Sequence, residues 1–77
     1  MTNITFSLAK YSLVDLKIVD INGRQICQLL NNDYVACRNG LSWNGTNDLG
    51  AAVGSGIYFM VLRAEGKVLS QKLSLIR

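Results

Sequence analysis

The segment "NGTNDLGAAVGSG" contains the residues whose types and spacing come closest to a chemical site. Asn44, Thr46 and Asp48 offer oxygen atoms at alternate positions, as the ligands of a Ca²⁺ loop do. An EF-hand-type loop also requires glycine at its sixth position and glutamate at its twelfth, where this chain has Leu49 and Ser55. We therefore predict no metal site here and interpret the segment as a hydrogen-bonded corner between two sheets.

The remaining polar residues do not form a catalytic set. The five acids fall on different predicted turns and strand faces, so no two are paired for general acid and base catalysis. The chain has no histidine, and no motif supplies another base for a serine or cysteine nucleophile. The glycines form neither G-x-G-x-x-G nor a P-loop ahead of a helix. We predict that the protein is not an enzyme and binds no cofactor.

The two cysteines, Cys27 and Cys37, lie ten residues apart, which matches no CxxC metal or redox pattern. They form either a disulfide across one hairpin or two free thiols. Cysteines on facing strands reach the Cα spacing of about 4.4–6.8 Å that a disulfide needs only if the register places them opposite each other. Nothing in the local pattern fixes that register, so two free thiols are the favoured interpretation.

Composition is that of one small globular domain. Hydrophobic residues make up 49% of the 77 residues and charged residues 17%. No apolar run approaches the roughly 20 residues of a membrane-spanning helix, so no transmembrane segment is predicted. The first residues also lack the pattern of a signal peptide. The basic residues behind the net charge of +3 are spread along the chain among acids, which argues against a nucleic-acid partner.

Alternation with a period of two predicts β-strands almost everywhere. The predicted strands are "NITFSLAK", "LVDLKIVD", "RQICQLL", "LSW", "GIYFMVLRA" and "KVLSQKLSLIR". Asn22-Gly23 predicts a tight two-residue hairpin, "AEGK" a second tight turn, and "NNDYVACRNG" a long connection. "YFMVL" is apolar on both faces, which is typical of a strand in the middle of a sheet or under a neighbouring domain.

These elements predict an all-β fold, a small Ig-like antiparallel β-sandwich of six to seven strands with residues 1–77 as its single domain. Within it, Trp43 is either a core anchor or a platform on which a sugar could stack. A lone Trp in a thin sandwich is more often core, because it supplies much of the apolar area that such a domain can bury. We therefore predict structural roles for Trp43 and Tyr58.

Three motifs and a tail, in order, carry a resemblance to a known family. They are D-x-x-G-R (Asp20, Gly23, Arg24), W-[DN]-G-x-[DN]-x-x-G (Trp43, Asn44, Gly45, Asn47, Gly50), V-x-S-G-x-Y (Val53, Ser55, Gly56, Tyr58) and a K-[KL]-x-x-x-[KR]-like tail (Lys72, Arg77). From about residue 4 to residue 77, the chain resembles the type A C-terminal sorting domains of the type IX secretion system and the related FlgD-type Ig-like domains.

The resemblance implies a module at the C-terminus of a larger exported protein, secreted or held at the cell surface. Its implied partners are the secretion machinery at the outer membrane and the preceding domain of the parent protein. The sorting element would be the tail, through Lys72, Leu73, Leu75 and Arg77. The alternative is a FlgD-like structural or carbohydrate-binding accessory module that caps an adjacent enzyme domain.

The chain departs from the family pattern just before its Trp strand. The family has Ala-Gly and a nearby histidine there, whereas this chain has Ala36-Cys37 and Asn39. Cysteine in place of that glycine permits a Cys27–Cys37 pairing that the family does not need. The resemblance therefore leaves the state of the two thiols open.

Overall fold

The computed structural model describes residues 2–8, 12–35 and 38–76, and over these ranges the chain forms six β-strands. They are β1 (Thr2–Ser7), β2 (Ser12–Asp20), β3 (Gln25–Val35), β4 (Arg38–Trp43), β5 (Gly56–Ala64) and β6 (Lys67–Leu75). Within the same ranges, no helix is long and apolar enough to cross a membrane.

The strands form two antiparallel sheets. The smaller sheet pairs β1 with β4, and the larger has the order β3-β2-β5-β6. The predicted all-β fold, a small antiparallel β-sandwich, is confirmed. The apolar run "YFMVL" belongs to β5, which lies between β2 and β6 in the larger sheet, as its composition predicted.

The core lies between the two sheets. In β2, Val14, Leu16 and Ile18 are fully buried, and in β5 the alternate residues Tyr58, Met60 and Leu62 face the same way. Ile4 of β1 and Trp43 of β4 close this core from the smaller sheet. Alternation with a period of two thus places one face of each central strand inside.

The predicted long connection after the third strand is wrong for most of its length. Residues 31–35 continue β3, residues 33–35 pair with β2 with Leu13 opposite Tyr34, and β4 already begins at Arg38. The β2–β3 ladder has three register shifts, and Asn32 has a positive φ of 52°. The shift between Leu30 and Asp33 inserts a residue there and reverses the alternation, and residues 31–34 are exposed, so this stretch resembled a polar loop.

The predicted two-residue hairpin at Asn22-Gly23 is also wrong in type. Only Gly23 has a positive φ there, 86°, and the loop has three residues closed by a hydrogen bond from Asp20 N to Arg24 O. This matches a type I turn followed by a left-handed residue. The two-residue hairpin occurs instead in "AEGK", where Glu65 and Gly66 both have positive φ angles, 56° and 73°.

Candidate functional site: the corner loop and the two edges of the larger sheet

Trp43 and Tyr58 pack together at the end of the core. The Trp43 side chain is 1% exposed, and its ring centroid lies 5.2 Å from that of Tyr58 with an interplanar angle of 72°. Trp43 Nε1 donates to Thr46 O at 2.9 Å, and the Tyr58 hydroxyl donates to Gly54 O at 2.7 Å. Both rings therefore hold the loop of residues 44–55, and the buried indole has no surface on which a sugar could stack.

The loop itself is a hydrogen-bonded corner. Val53 N donates to Gly45 O at 2.9 Å, and Thr46 pairs with Ala52 in an isolated antiparallel bridge. The Thr46 hydroxyl donates to Asn44 Oδ1 at 2.6 Å. The Asn44 side-chain oxygen considered above as a calcium ligand thus accepts a hydrogen bond from within the loop.

Two of the motifs form the same turn. In each, a side-chain oxygen of the first residue of the turn, Asp20 or Asn47, accepts hydrogen bonds from the backbone N–H groups two and four residues later. The glycine three residues later donates its N–H to the first residue's carbonyl, and every distance is 2.9–3.0 Å. The first residues are Asp20 and Asn47, and the glycines are Gly23 and Gly50. Asp and Asn suit this position because their side chains bond their own backbone in turns.

The strand register places the first turn beside the third motif and the tail. Asp20 lies opposite Tyr58, and Tyr58 lies opposite Leu73, so one row of the sheet holds a residue from each. Arg24 projects from the turn with its side chain 80% exposed and its Nε 3.8 Å from an Asp20 oxygen. An ion pair this exposed contributes little to stability, so Asp20 acts mainly through its backbone contacts.

Asp48 closes the outer edge of β3. Its N–H donates to Ile26 O at 3.1 Å, and its Oδ1 accepts from Gln28 N at 2.9 Å. Its Oδ2 accepts from Gln25 Nε2 at 3.1 Å. Edge strands carry unpaired backbone groups, and here one loop residue pairs with two of them. The corner loop thus occupies the β3 edge at Ile26 and Gln28, where another strand would otherwise pair.

Sequence reasoning missed this role. Asp48 was considered only as a weak calcium ligand, and its contacts to β3 depend on how the loop folds back over a strand some 20 residues earlier in the chain. The one available signal was that Asp48 is the only charged side chain in the loop. A single charge among Asn, Gly and Ala residues indicates a specific contact, but it does not identify the partner.

β6 is the other edge of the larger sheet, and among the described residues it pairs only with β5. Residues 67–72 are all exposed. In an antiparallel pair, alternate residues direct their backbone N–H and C=O groups away from the partner strand. Ala64 and Lys67 close the two-residue hairpin as a hydrogen-bonded pair, so the outward-pointing backbone groups begin at the next residue. In β6 they belong to Val68, Ser70, Lys72 and Ser74.

The four predicted sorting residues have different surroundings. Lys72 is exposed on the strand, whereas Leu73 and Leu75 are each only 6% exposed and belong to the core. Arg77 lies outside the described residues. A receptor that meets the folded domain therefore reaches Lys72 and the backbone of β6, while the two leucines fix the end of the strand.

A shallow groove of about 230 Å³ lies on the smaller sheet, lined by Ile4, Thr5, Gly40, Leu41 and Ser42. None of these side chains titrates near neutral pH, so the groove offers no general acid or base there. Elsewhere in residues 2–8, 12–35 and 38–76, no group of three or more His, Cys, Asp or Glu side chains could hold a metal ion.

Cys27 is a buried free thiol on β3. Burial raises the pKa of this thiol above its ordinary value, and the nearby Asp48 carboxylate raises the pKa further. Both causes disfavour the thiolate, which is the reactive form. Cys37 lies outside the described residues, so the state of that thiol stays a prediction.

We expect two free thiols in the unfolded, non-reduced protein. Cys27 lies opposite Ile18 and Val35 opposite Ser12, so β3 carries the chain about 20 Å along β2 between them. Two residues can span at most about 7 Å, which is less than this separation, so we expect no disulfide. Thiol titration in denaturant checks this, and a monomer with no free thiol would contradict it.

In the folded protein, Cys27 should react slowly with a thiol reagent at pH 7, because it is buried and its pKa is raised. The variant Cys37→Ser isolates this reaction. The rate of reaction of Cys27 should keep rising as the pH increases above about 8.5, the ordinary cysteine pKa, because the pKa of Cys27 is raised.

This chain matches no protein-family model, no curated protein and no solved structure. The fold is established by its strands and core, while the resemblance to sorting domains stays a prediction that depends on the motifs.

Proposed function

We propose that this domain is a non-catalytic β-sandwich module that directs the export or cell-surface attachment of a parent protein. The receptor in the secretion machinery binds the domain at β6. The observation that carries the proposal is the difference between the two edges of the larger sheet. Asp48 pairs with backbone groups of Ile26 and Gln28 on the β3 edge, whereas β6 pairs only with β5 among the described residues.

An open edge strand can bind an extended segment of another protein by adding a strand to the sheet. The backbone groups of Ser70 and Lys72 supply the hydrogen bonds, and the ammonium group of Lys72 adds a charge that a receptor can recognise. Leu73 and Leu75 contribute indirectly, because their burial holds this part of β6 against β5. Binding at the edge thus uses the exposed part of the predicted sorting tail.

The test is a fusion of residues 1–77 to a reporter that by itself stays in the periplasm, in a host with type IX secretion machinery. Ser70→Pro removes an N–H that points to the open edge, and proline is tolerated at such edge positions. We expect this variant to lower the amount of secreted reporter about fivefold, which corresponds to one lost hydrogen bond of about 1 kcal/mol. Ser70→Ala removes the same hydroxyl but keeps the N–H, and it should be secreted like the parent.

A second pair of variants tests the charge. Lys72→Glu should lower secretion, while Lys67→Glu makes the same charge change at the far end of β6 and should not. Thermal unfolding of the purified domains shows whether each variant remains folded. Normal secretion of Ser70→Pro and Lys72→Glu would exclude the edge as the recognition element, and a fusion of the unaltered domain that is not exported would exclude the sorting function.

The alternative of a FlgD-like structural or carbohydrate-binding module makes a different prediction for the same fusion. Such a module acts on a neighbouring domain or a glycan, so its removal leaves export unchanged and alters the reporter's stability or its binding to polysaccharide. The buried position of Trp43 removes the aromatic platform first considered for glycan binding.

A further inference from the structure

The outer face of the larger sheet, the side away from the core, has its own apolar cluster. In β5, Ile57, Phe59 and Val61 alternate with the core residues and therefore point to this face. Val19 of β2 lies opposite Phe59 and joins them. We call these four residues the outer-face cluster.

The outer-face cluster is separate from the core. Val19 is only 8% exposed, yet it does not belong to the cluster of buried residues between the sheets. Ile57, Phe59 and Val61 are half-buried and are not among the side chains packed against that core. The smaller sheet packs against the inner face through Ile4 and Trp43, and in the described part of the chain no strand lies over the outer face.

Basic residues flank the outer-face cluster. Lys17 lies opposite Val61 on one side, and Lys72 lies opposite Phe59 on the other. Arg63 follows two residues after Val61 on the same face, with Asp15 opposite it on β2. The Asp15 carboxylate already accepts a hydrogen bond from Gln28 Nε2. The face thus presents apolar side chains among three cations and one carboxylate.

These charges determine which partner fits the outer face. A second copy of this chain would bring the same cations against each other, and like charges across an interface are unfavourable. A membrane surface favours apolar side chains that project into the lipid, whereas Phe59 and Val61 are half-buried in the flat face of a sheet. A protein segment with apolar residues on one side and carboxylates at their margins is complementary to both features.

We propose that the outer face docks an acidic amphipathic segment of a partner protein. Apolar residues of that segment cover Val19, Phe59 and Val61, and its carboxylates pair with Lys17 and Lys72. Covering an exposed sheet face with a second layer is the usual way in which a domain buries such residues. This docking shares Lys72 with the open β6 edge, but it takes place on the face of the larger sheet and does not depend on export.

The test titrates the 77-residue protein with two synthetic amphipathic helices, one with Leu and Glu residues and the other with Leu and Lys residues. Backbone amide NMR spectra report the site. We expect the Leu/Glu peptide to bind and to shift the amide signals of β2 and β5 around Val19, Phe59 and Val61. The Leu/Lys peptide should cause no shifts.

The matched variants are Lys17→Glu, which changes a charge on the outer face, and Lys67→Glu, which makes the same charge change away from that face. Lys17→Glu should weaken binding of the Leu/Glu peptide about tenfold, a change of about 1.4 kcal/mol. Lys67→Glu should leave the affinity unchanged, and thermal unfolding confirms that both variants are folded. The proposal is overturned if the Leu/Glu peptide does not bind, if both peptides bind equally, or if the shifts map to another surface.

Vesicles of anionic phospholipid form a third arm of the test. Binding of the vesicles through the same amide signals, without binding of the Leu/Glu peptide, would identify the outer face as a membrane-contact surface and overturn the proposal. Binding of the peptide without binding of the vesicles supports it.

Discussion

Replacement of Trp43 by alanine should lower the free energy of unfolding by about 3–5 kcal/mol, because it leaves a large cavity in the core. A chain of this length has roughly 4–12 kcal/mol of stability in total. The Trp43 side chain is 1% exposed, contacts the Tyr58 ring edge to face and donates its N–H to Thr46 O. The variant should therefore lose a large share of the domain's stability and unfold at a much lower urea concentration than the parent.

Urea unfolding followed by far-ultraviolet circular dichroism measures the effect, since the variant lacks the only tryptophan of the chain and gives no tryptophan fluorescence. Leu49→Ala is the control, because that side chain is 93% exposed in the loop that Trp43 supports. It should change the stability by less than about 0.5 kcal/mol. A Trp43→Ala protein that unfolds at the same urea concentration as the parent would contradict the structural role of the indole.

The sequence predicted β5 well, because a single register holds along the whole of that strand. β5 was predicted at Gly56–Ala64, where the structure has it, because its pairing with β2 and β6 is continuous. β3 was predicted too short, because the three register shifts in its pairing with β2 interrupt the alternation on which the prediction relied.

The turn motifs were also predicted only in part from the sequence. Asp20 and Asn47 could be predicted as turn residues, since Asp and Asn bond their own backbone in turns. That both form the same turn depends on the backbone conformation around Gly23 and Gly50, which the residue types alone do not determine. The role of Asp48 could not be predicted, because its partners on β3 come from a distant part of the chain.

Replacement of Asp48 by alanine should both destabilise the domain and free the Gln28 N–H at the second edge of the larger sheet. The variant loses the acceptors for Gln28 N and for the Gln25 side chain, which should cost about 1–3 kcal/mol for hydrogen bonds to a charged group. Asp48→Asn keeps one side-chain oxygen that can accept from Gln28 N and should cost less. Asp33→Ala, which removes an exposed carboxylate that accepts a hydrogen bond from the nearby backbone N–H of Asn31, is the matched control.

Three readouts separate loss of the edge contact from general destabilisation. Hydrogen exchange at the Gln28 amide should become faster in Asp48→Ala under conditions in which the core amides of β2 and β5 remain protected. Reaction of Cys27 with a thiol reagent should also become faster in Asp48→Asn, because removal of the carboxylate takes away one cause of the raised pKa. Finally, an uncovered β3 edge should increase self-association at high protein concentration.

If the Gln28 amide exchanges at the parent rate in Asp48→Ala, the loop does not protect this edge, and the difference between the β3 and β6 edges no longer supports recognition at β6.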